Sequence, residues 1–144
     1  MDMTDEEIAI DFISVPLSIS TPDGRRIIVN KISERFHGRS KEEIVDIPLT
    51  GSYKEDDRVR EAFERAKRTG FGTCEATCMR GDGTTAPAIL NFMPTKDEGG
   101  NIINVVGTAT DITELKKKEE GLKRLGAMVE NSGTPTVLAD PTGR

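Results

Sequence analysis

The stretch Gly107-Thr-Ala-Thr-Asp111-Ile-Thr113 decides the fold, because two kinds of structure are predicted to meet there. Residues 102–110 are rich in Ile, Val and Thr, a composition that favours a β-strand. From residue 112 onward, apolar side chains recur at helical spacing, which indicates an amphipathic helix. An Asp and a Thr at such a junction can cap the first backbone N–H groups of a helix. We therefore expect a strand that leads directly into a linker helix over residues 112–130.

Upstream of this junction, the sequence predicts two further strands and the best helix of the chain. Residues 71–79 and 84–93 are β-prone, and each run is followed by a turn rich in Gly and Asp. Residues 54–69 should form a helix that ends at Gly70. Its apolar residues make one stripe, which consists of Val59, Ala62, Phe63 and Ala66. Three strands in a meander should therefore follow this helix.

The beginning of the domain is predicted to be a hairpin followed by short helices. Residues 17–21 and 26–29 are two short β-prone runs around Pro22-Asp-Gly24. Asn30 is a suitable N-cap for a short helix, and Ser40-Lys-Glu-Glu43 has the pattern of a capping box. Five strands are therefore expected, two before the helices and three after them.

Two amphipathic segments flank this predicted domain. Residues 5–15 place apolar side chains at helical spacing, and the linker helix repeats apolar residues at roughly heptad spacing over about two heptads. The apolar positions are Ile8, Phe12 and Val15 in the first segment, and Ile112, Leu115, Leu122, Leu125 and Val129 in the second. Such faces need a partner, so we expect a homodimer that forms through the two helices.

A short repeat links the two ends of the chain. Pro16-Leu-Ser-Ile-Ser-Thr-Pro22-Asp-Gly24-Arg25 returns as Pro135-Thr-Val-Leu-Ala-Asp-Pro141-Thr-Gly143-Arg144 at one constant offset. A fixed offset is typical of a tandem array. We therefore expect residues 131–144 to begin a second, truncated copy of the domain, and the chain to be a piece of a longer modular protein.

Charge and hydropathy exclude several classes of function. The net charge is −5, and the one basic run, at residues 116–118, is followed at once by two glutamates, so no nucleic-acid surface is expected. No stretch approaches the roughly 20 apolar residues of a membrane helix, and no signal peptide is present. We expect a cytoplasmic fragment without membrane contact, although the full-length protein could carry an anchor elsewhere.

The order of these elements resembles a PAS domain. The resemblance covers roughly residues 6–113, and again the repeat near the C-terminus. It rests on Pro22-Asp-Gly24, Asn30, Phe36-His-Gly38-Arg-Ser40-Lys-Glu-Glu43-Ile44, Thr69-Gly70, Arg80-Gly-Asp-Gly83, and Gly107 ahead of Asp111-Ile-Thr113.

The resemblance implies an α+β fold, with a five-stranded antiparallel sheet and helices packed on one face. We expect residues 1–15 to be a flanking helix, 16–111 the PAS domain, and 112–130 the linker. It also implies a sensory or relay module of a signalling protein, most often a sensor histidine kinase of a two-component system. Its partners would be the adjacent PAS and output domains of the parent chain. The alternative is a ligand-free dimerisation scaffold of another signalling protein.

Family resemblance also suggests where a signal would pass. In PAS domains the Asp-Ile-Thr motif couples the sheet to the output helix, so Asp111, Ile112 and Thr113 are the predicted coupling residues, and Arg80 is the predicted partner of the aspartate. A pocket would lie between sheet and helices. Its predicted lining is Phe36, Ile44, Val59, Phe63, Cys74, Ala76 and Cys78 and, from the fourth strand, Leu90 with Phe92 or, in the other register, Ile89 with Asn91.

Neither haem nor a flavin adduct is expected. Haem-binding relatives carry the axial histidine on the longer helix, whereas His37, the single histidine, is on a short one. Residues 34–39 also lack the cysteine that flavin-binding relatives carry there. Cys74 and Cys78 are too far apart on one strand, about 13 Å, for a disulfide, and with one histidine they make a poor zinc site. We expect no metal and no catalytic set, so the fragment should not be an enzyme. The sequence leaves open whether the domain binds an unknown small ligand.

Overall fold

The computed structural model describes Asp11 and residues 13–131, with side chains described as far as Gly126. In chain order, the elements are strands β1 (Leu17–Ser20) and β2 (Arg26–Val29), helices α1 (Lys31–His37) and α2 (Lys41–Asp46), a short 3-10 helix (Leu49–Ser52), helix α3 (Asp56–Thr69), strands β3 (Gly72–Met79), β4 (Thr85–Lys96) and β5 (Ile102–Asp111), and helix α4 (Thr113–Asn131). The chain divides into two compact units between Ile112 and Thr113, so α4 is described by itself.

The five strands form one antiparallel sheet in the order β2-β1-β5-β4-β3, which confirms the predicted α+β fold. Strand β4 continues to Lys96, past the predicted end at Met93. Pro94 lies in this extension, although proline cannot donate to a strand ladder. It is tolerated because β3 stops pairing with β4 at Phe92, so one side of β4 is an edge there. The predicted strand stopped one residue short of this proline.

The short helices begin where the sequence predicts. Asn30 caps α1 by accepting a hydrogen bond from the backbone N–H of Ser33, and Gly38 ends that helix in the left-handed conformation. Ser40 and Glu43 make both hydrogen bonds of a capping box on α2. The 3-10 helix that follows was not predicted. Local capping signals therefore specify the starts of α1 and α2 before any tertiary contact forms.

Helix α3 covers the sheet with the predicted stripe, because Val59, Ala62, Phe63 and Ala66 are all buried. They pack with inward residues of β3, β4 and β5 in one core. The rings of Phe63 and Phe92 meet edge to face at 5.6 Å between centroids. Leu90 and Phe92 are the inward residues of β4, which settles the register that the sequence left open.

Two predictions concern residues that the structure does not describe. Most of the predicted helix over residues 5–15 lies outside the described residues. Its predicted end is wrong, because residues 13–15 are not helical. The repeat at 132–144 lies outside the described residues.

Helix α4 begins one residue later than predicted, because the backbone N–H of Ile112 still donates to Pro87 O of the sheet, at 2.9 Å. Among the described residues, no helix is both long enough and apolar enough to cross a membrane.

Candidate functional site

A cluster of buried polar side chains lies between the sheet and the short helices. Arg26, at the start of β2, is only 2% exposed. Its Nη1 atom donates to Ser52 Oγ at 2.9 Å and more weakly to the carbonyl oxygen of Ile47 at 3.5 Å. The hydroxyl of Tyr53 also hydrogen-bonds the guanidinium. Burial lowers the pKa of Arg26 and raises that of Tyr53. The side-chain contacts of Arg26 thus join β2 to the 3-10 helix.

His37 lies in the same interior rather than at the surface, where a polar residue at a helix end is usually found. Its Nδ1 atom is 3.4 Å from Cys78 Sγ, and its ring meets that of Tyr53 edge to face. Burial, with smaller contributions from the charges of Arg26, Arg39 and Arg80, lowers the pKa of His37 to about 3. The imidazole is therefore neutral at physiological pH.

The two cysteines are poor candidates for reactive thiols. Burial raises the pKa of Cys78 to about 11, despite the opposing effect of nearby arginine charges. Burial also raises the pKa of Cys74, which is half-buried. Since the thiolate is the reactive form, both side chains behave as small core residues. Ala76 and Cys78 are buried, while Thr73 and Glu75 on the opposite face of the strand are exposed and Thr77 is half-buried.

A cavity of about 20 Å³ lies within this interior, near β1, β2 and β5. This volume holds about one water-sized group. The polar residues that line it are Ser18, Arg26, Ser33, His37, Tyr53 and Thr108. Of the eight residues from Phe36 to Leu90 that were predicted to line a pocket, Leu90 alone lines this cavity, and Phe92 of the alternative pair lines it too. The cavity therefore lies further toward β1 and β2 than the sequence predicted.

The remaining predicted pocket residues are parts of the packed interior. Phe36, Val59, Phe63, Ala76 and Cys78 belong to the main core, and Cys74 packs against it. Ile44, on α2, is buried but is not a member of that core. Close packing explains the difference, because complementary side chains fill the space between α3 and the sheet. These residues are therefore packed core.

At the end of β5, Arg80 and Asp111 form the pair that the sequence anticipated. Arg80 Nη2 is 3.3 Å from Asp111 Oδ2, and Arg80 Nε donates to the carbonyl oxygen of Phe36 at 2.9 Å. The backbone N–H of Gly81 donates to the carbonyl oxygen of His37, also at 2.9 Å. The β3–β4 turn is thereby attached both to the end of α1 and to the end of β5. Ile112, the next residue, is buried.

The sequence did not reveal Arg26, Ser52 or Tyr53 as members of the interior. Arg26 follows another arginine in a hairpin, where charge normally indicates exposure. A register shift between Ile19 and Ser20 interrupts the pairing of β1 with β2 there. Tyr53 forms an isolated bridge to Cys78 after an unpredicted 3-10 helix. Only the scarcity of aromatic residues, with one tyrosine in the chain, could have drawn attention to Tyr53.

We expect acid to destabilise the domain through His37. The unfolded histidine has a pKa near 6.5, whereas burial holds the folded value at about 3. The unfolded state therefore binds more protons, and stability present above about pH 6.5 is lost progressively as the pH falls toward 3. Between about pH 7.5 and pH 5.5, the free energy of unfolding should fall by about 1 kcal/mol. Urea titrations at several pH values measure this.

His37→Gln is the control for this titration. It removes the only histidine, so the free energy of unfolding should become nearly flat across the same interval, whatever its absolute value. Carboxylates ionise mainly below that interval and should contribute little. An unchanged pH slope in the variant would show that another group is responsible.

Comparison with known proteins agrees with this architecture. The PAS domain family model matches residues 14–114, and the chain therefore belongs to the PAS domain family. Domains of this family are generally sensory modules rather than catalysts. A comparison with curated protein sequences finds no match for this chain.

Solved structures show the same fold at low identity. The PAS domain of a protein from Colwellia psychrerythraea is 23% identical, with a TM-score of 0.67, and the match covers 76% of this chain and 95% of that one. An RNA-binding light-oxygen-voltage receptor is 22% identical, with a TM-score of 0.70, over 83% of this chain and 36% of that one. A PAS domain from a two-component sensor histidine kinase is 11% identical, with a TM-score of 0.62, over 74% and 92%.

Proposed function

We propose that this chain is a cytoplasmic signal-relay module of a multidomain signalling protein, and that the parent is a sensor histidine kinase. The observation that carries the proposal is the position of Arg80, which contacts both the end of α1 and Asp111 at the end of β5. A structural neighbour from a two-component sensor histidine kinase supports the parent class. Asp111, Ile112 and Thr113 are the residues through which the change would pass.

The contacts around Arg80 suggest how a change in the interior would reach the linker. His37 lines the cavity, and the carbonyl oxygens of Phe36 and His37 hold Arg80 and Gly81. A movement of α1 would therefore displace the Arg80 side chain, which is paired with Asp111. Asp111 immediately precedes Ile112, whose N–H is bonded to the sheet. The relay would need no moving element other than α1, the β3–β4 turn and the end of β5.

Asp111→Ala in the full-length protein should uncouple output from input. The Arg80–Asp111 pair is partly exposed, at 27% and 40% of the two side chains, so its loss should cost less than about 1 kcal/mol of stability. Regulation of output, measured as kinase activity with and without the stimulus, should nevertheless change several-fold. Arg80→Ala should change it in the same direction, and the double variant should add little beyond either single change.

A matched control separates coupling from loss of charge. Asp57→Ala removes an exposed carboxylate that is paired with Arg60 on α3, far in sequence from the junction. It should leave regulation unchanged. Normal regulation in Asp111→Ala, with a normally folded domain, would contradict the relay role. A matching loss of stability and output would instead assign the aspartate a purely structural role.

The second candidate function is a ligand-free dimerisation scaffold. It is favoured by three leucines of α4 that are half or more exposed, namely Leu115 at 50%, Leu122 at 70% and Leu125 at 57%. Their spacing suits a helix that pairs with a second copy. A homodimer is compatible with the relay. Native mass measured before and after denaturation tests the scaffold, because bound extra mass would exclude a ligand-free scaffold, whereas a bare dimer is compatible with both functions.

We also propose that the domain works without haem or flavin. The cavity beside Arg26, of about 20 Å³, is far smaller than either group, since the cavities that hold cofactors are usually several hundred cubic ångströms. Two larger pockets, of about 230 and 360 Å³, have neither histidine nor cysteine in their lining. No cluster of metal-binding side chains occurs among the described residues. An absorption spectrum of the purified protein tests this, since either group would give a visible band.

A further inference from the structure

Arg26 is a fully buried cation without a balancing carboxylate. Its exposure is 2%, and its charge is accompanied only by hydroxyl and carbonyl oxygens from the 3-10 helix region. None of the carboxylates in the described part of the chain forms an ion pair with it. Arginine stays protonated in proteins, so the charge cannot be relieved by loss of a proton. A buried charge without a counter-charge costs several kcal/mol.

The guanidinium of Arg26 also has an unused donor. Its Nε atom is buried and has no hydrogen-bond partner among the described protein groups. Arg26 lines the cavity of about 20 Å³, together with the hydroxyl-bearing Ser18 and Tyr53. A buried donor of this kind normally has an acceptor, because leaving it unsatisfied costs about 1–3 kcal/mol. The cavity is the place where an acceptor could sit.

We propose that this cavity binds a single monatomic anion, of which chloride is the physiological example, and that Arg26 supplies its counter-charge. The site has a positive charge, hydrogen-bond donors and no opposing carboxylate in the described chain. Its volume admits about one water-sized group. A halide is only slightly larger than water, whereas a phosphate or an organic acid has several heavy atoms and would require α1 to move. The inference concerns what occupies the interior and does not depend on the relay.

Thermal unfolding of the purified chain in matched salts tests the site. Sodium chloride and sodium gluconate are compared at equal ionic strength, because gluconate is too large for the cavity. Chloride should raise the Tm by several degrees over gluconate, since a ligand that binds only the folded state stabilises it. The difference should grow with the logarithm of chloride concentration. An equal Tm in the two salts would overturn the proposal.

Two arginine variants make the test specific. Arg26→Met introduces an unbranched apolar side chain and removes the charge, so the chloride-dependent difference in Tm should disappear. Arg25→Met removes the neighbouring, exposed arginine and should keep the full difference. Persistence of the effect in Arg26→Met, or its loss in Arg25→Met, would show that chloride acts elsewhere.

A second measurement needs no variant, in case Arg26→Met fails to fold. Crystals of the wild-type chain grown in sodium bromide should show an anomalous difference peak beside Arg26 Nε. Bromide peaks only at surface sites would overturn the proposal. Sodium formate provides a further comparison. If formate raised the Tm and chloride did not, the ligand would be a small carboxylate rather than a monatomic anion, and the proposal would be rejected.

Discussion

Gly72→Ala is expected to lower the free energy of unfolding by about 3 kcal/mol or more. Gly72 begins β3, directly beneath α3. A Cβ atom there would overlap the backbone carbonyl oxygen of Ala62 and lie 3.1 Å from the backbone nitrogen of Ala66. Neither atom belongs to a flexible side chain, so the helix itself would have to move away from the sheet. Urea unfolding followed by circular dichroism measures the loss.

Gly99→Ala is the matched control for this substitution. Gly99 lies in the exposed β4–β5 turn, and an added Cβ would meet only side-chain atoms, the nearest at 3.4 Å. Its φ is not positive, so alanine requires no strained backbone. The free energy of unfolding should therefore change by less than about 0.5 kcal/mol. Comparable losses in the two variants would mean that the close approach of α3 to β3 is not what limits residue 72.

Asn30→Ala is expected to cost about 3 kcal/mol or more, well beyond the loss of an ordinary helix cap. The buried amide oxygen accepts hydrogen bonds from the backbone N–H groups of Leu17 and Ser33, and from the hydroxyl of Ser33. The amide nitrogen donates to Val15 O at 2.8 Å. Alanine would remove the acceptor of the buried Leu17 N–H and the donor to Val15 O, whereas Ser33 would keep its bonds to the backbone oxygens of residue 30 and Leu17. Each buried group left unsatisfied costs about 1–3 kcal/mol, in addition to the lost cap.

Ser40→Ala measures the cap alone. Ser40 performs the same local task at the start of α2, but its hydrogen bonds with Glu43 are exposed, and water can replace them. The expected loss is about 1 kcal/mol. Chemical denaturation of both variants gives the comparison. If Asn30→Ala cost no more than Ser40→Ala, the buried bonds from β1 to Asn30 would contribute little.

Asn30 also shows how far the sequence could be used. Its role as an N-cap is a local property of residues 30–33 and was predicted correctly. Its bonds to Leu17 and Val15 are contacts across the fold, and no pattern within one segment specifies them. The same division holds for the strands, whose order along the chain followed from composition, whereas the length of β4 depended on where its neighbour ends.

The candidate site divides in the same way. The pairing of Arg80 with Asp111 could be predicted, because the resemblance to PAS domains assigns a basic partner to that aspartate. The buried Arg26 could not be predicted, because charged residues are rarely found in cores without a partner and the sequence offered none. The location of the cavity depends on how α1, β1 and the 3-10 helix pack together. Side-chain volume in one segment cannot determine that outcome.

Strand β1 is hydrogen-bonded along its length to β5, with Leu17 opposite Thr108 and the N–H of Ala109 donating to Pro16 O at 3.0 Å. The first and last strands of the domain are thus neighbours in the middle of the sheet. The path of the polypeptide enters and leaves the domain at one place, so a mechanical pull between the two ends would load the β1–β5 hydrogen bonds together with those from Asn30 to Val15 and from Ile112 to Pro87. Such a domain can be inserted into a longer chain without separating the segments on either side.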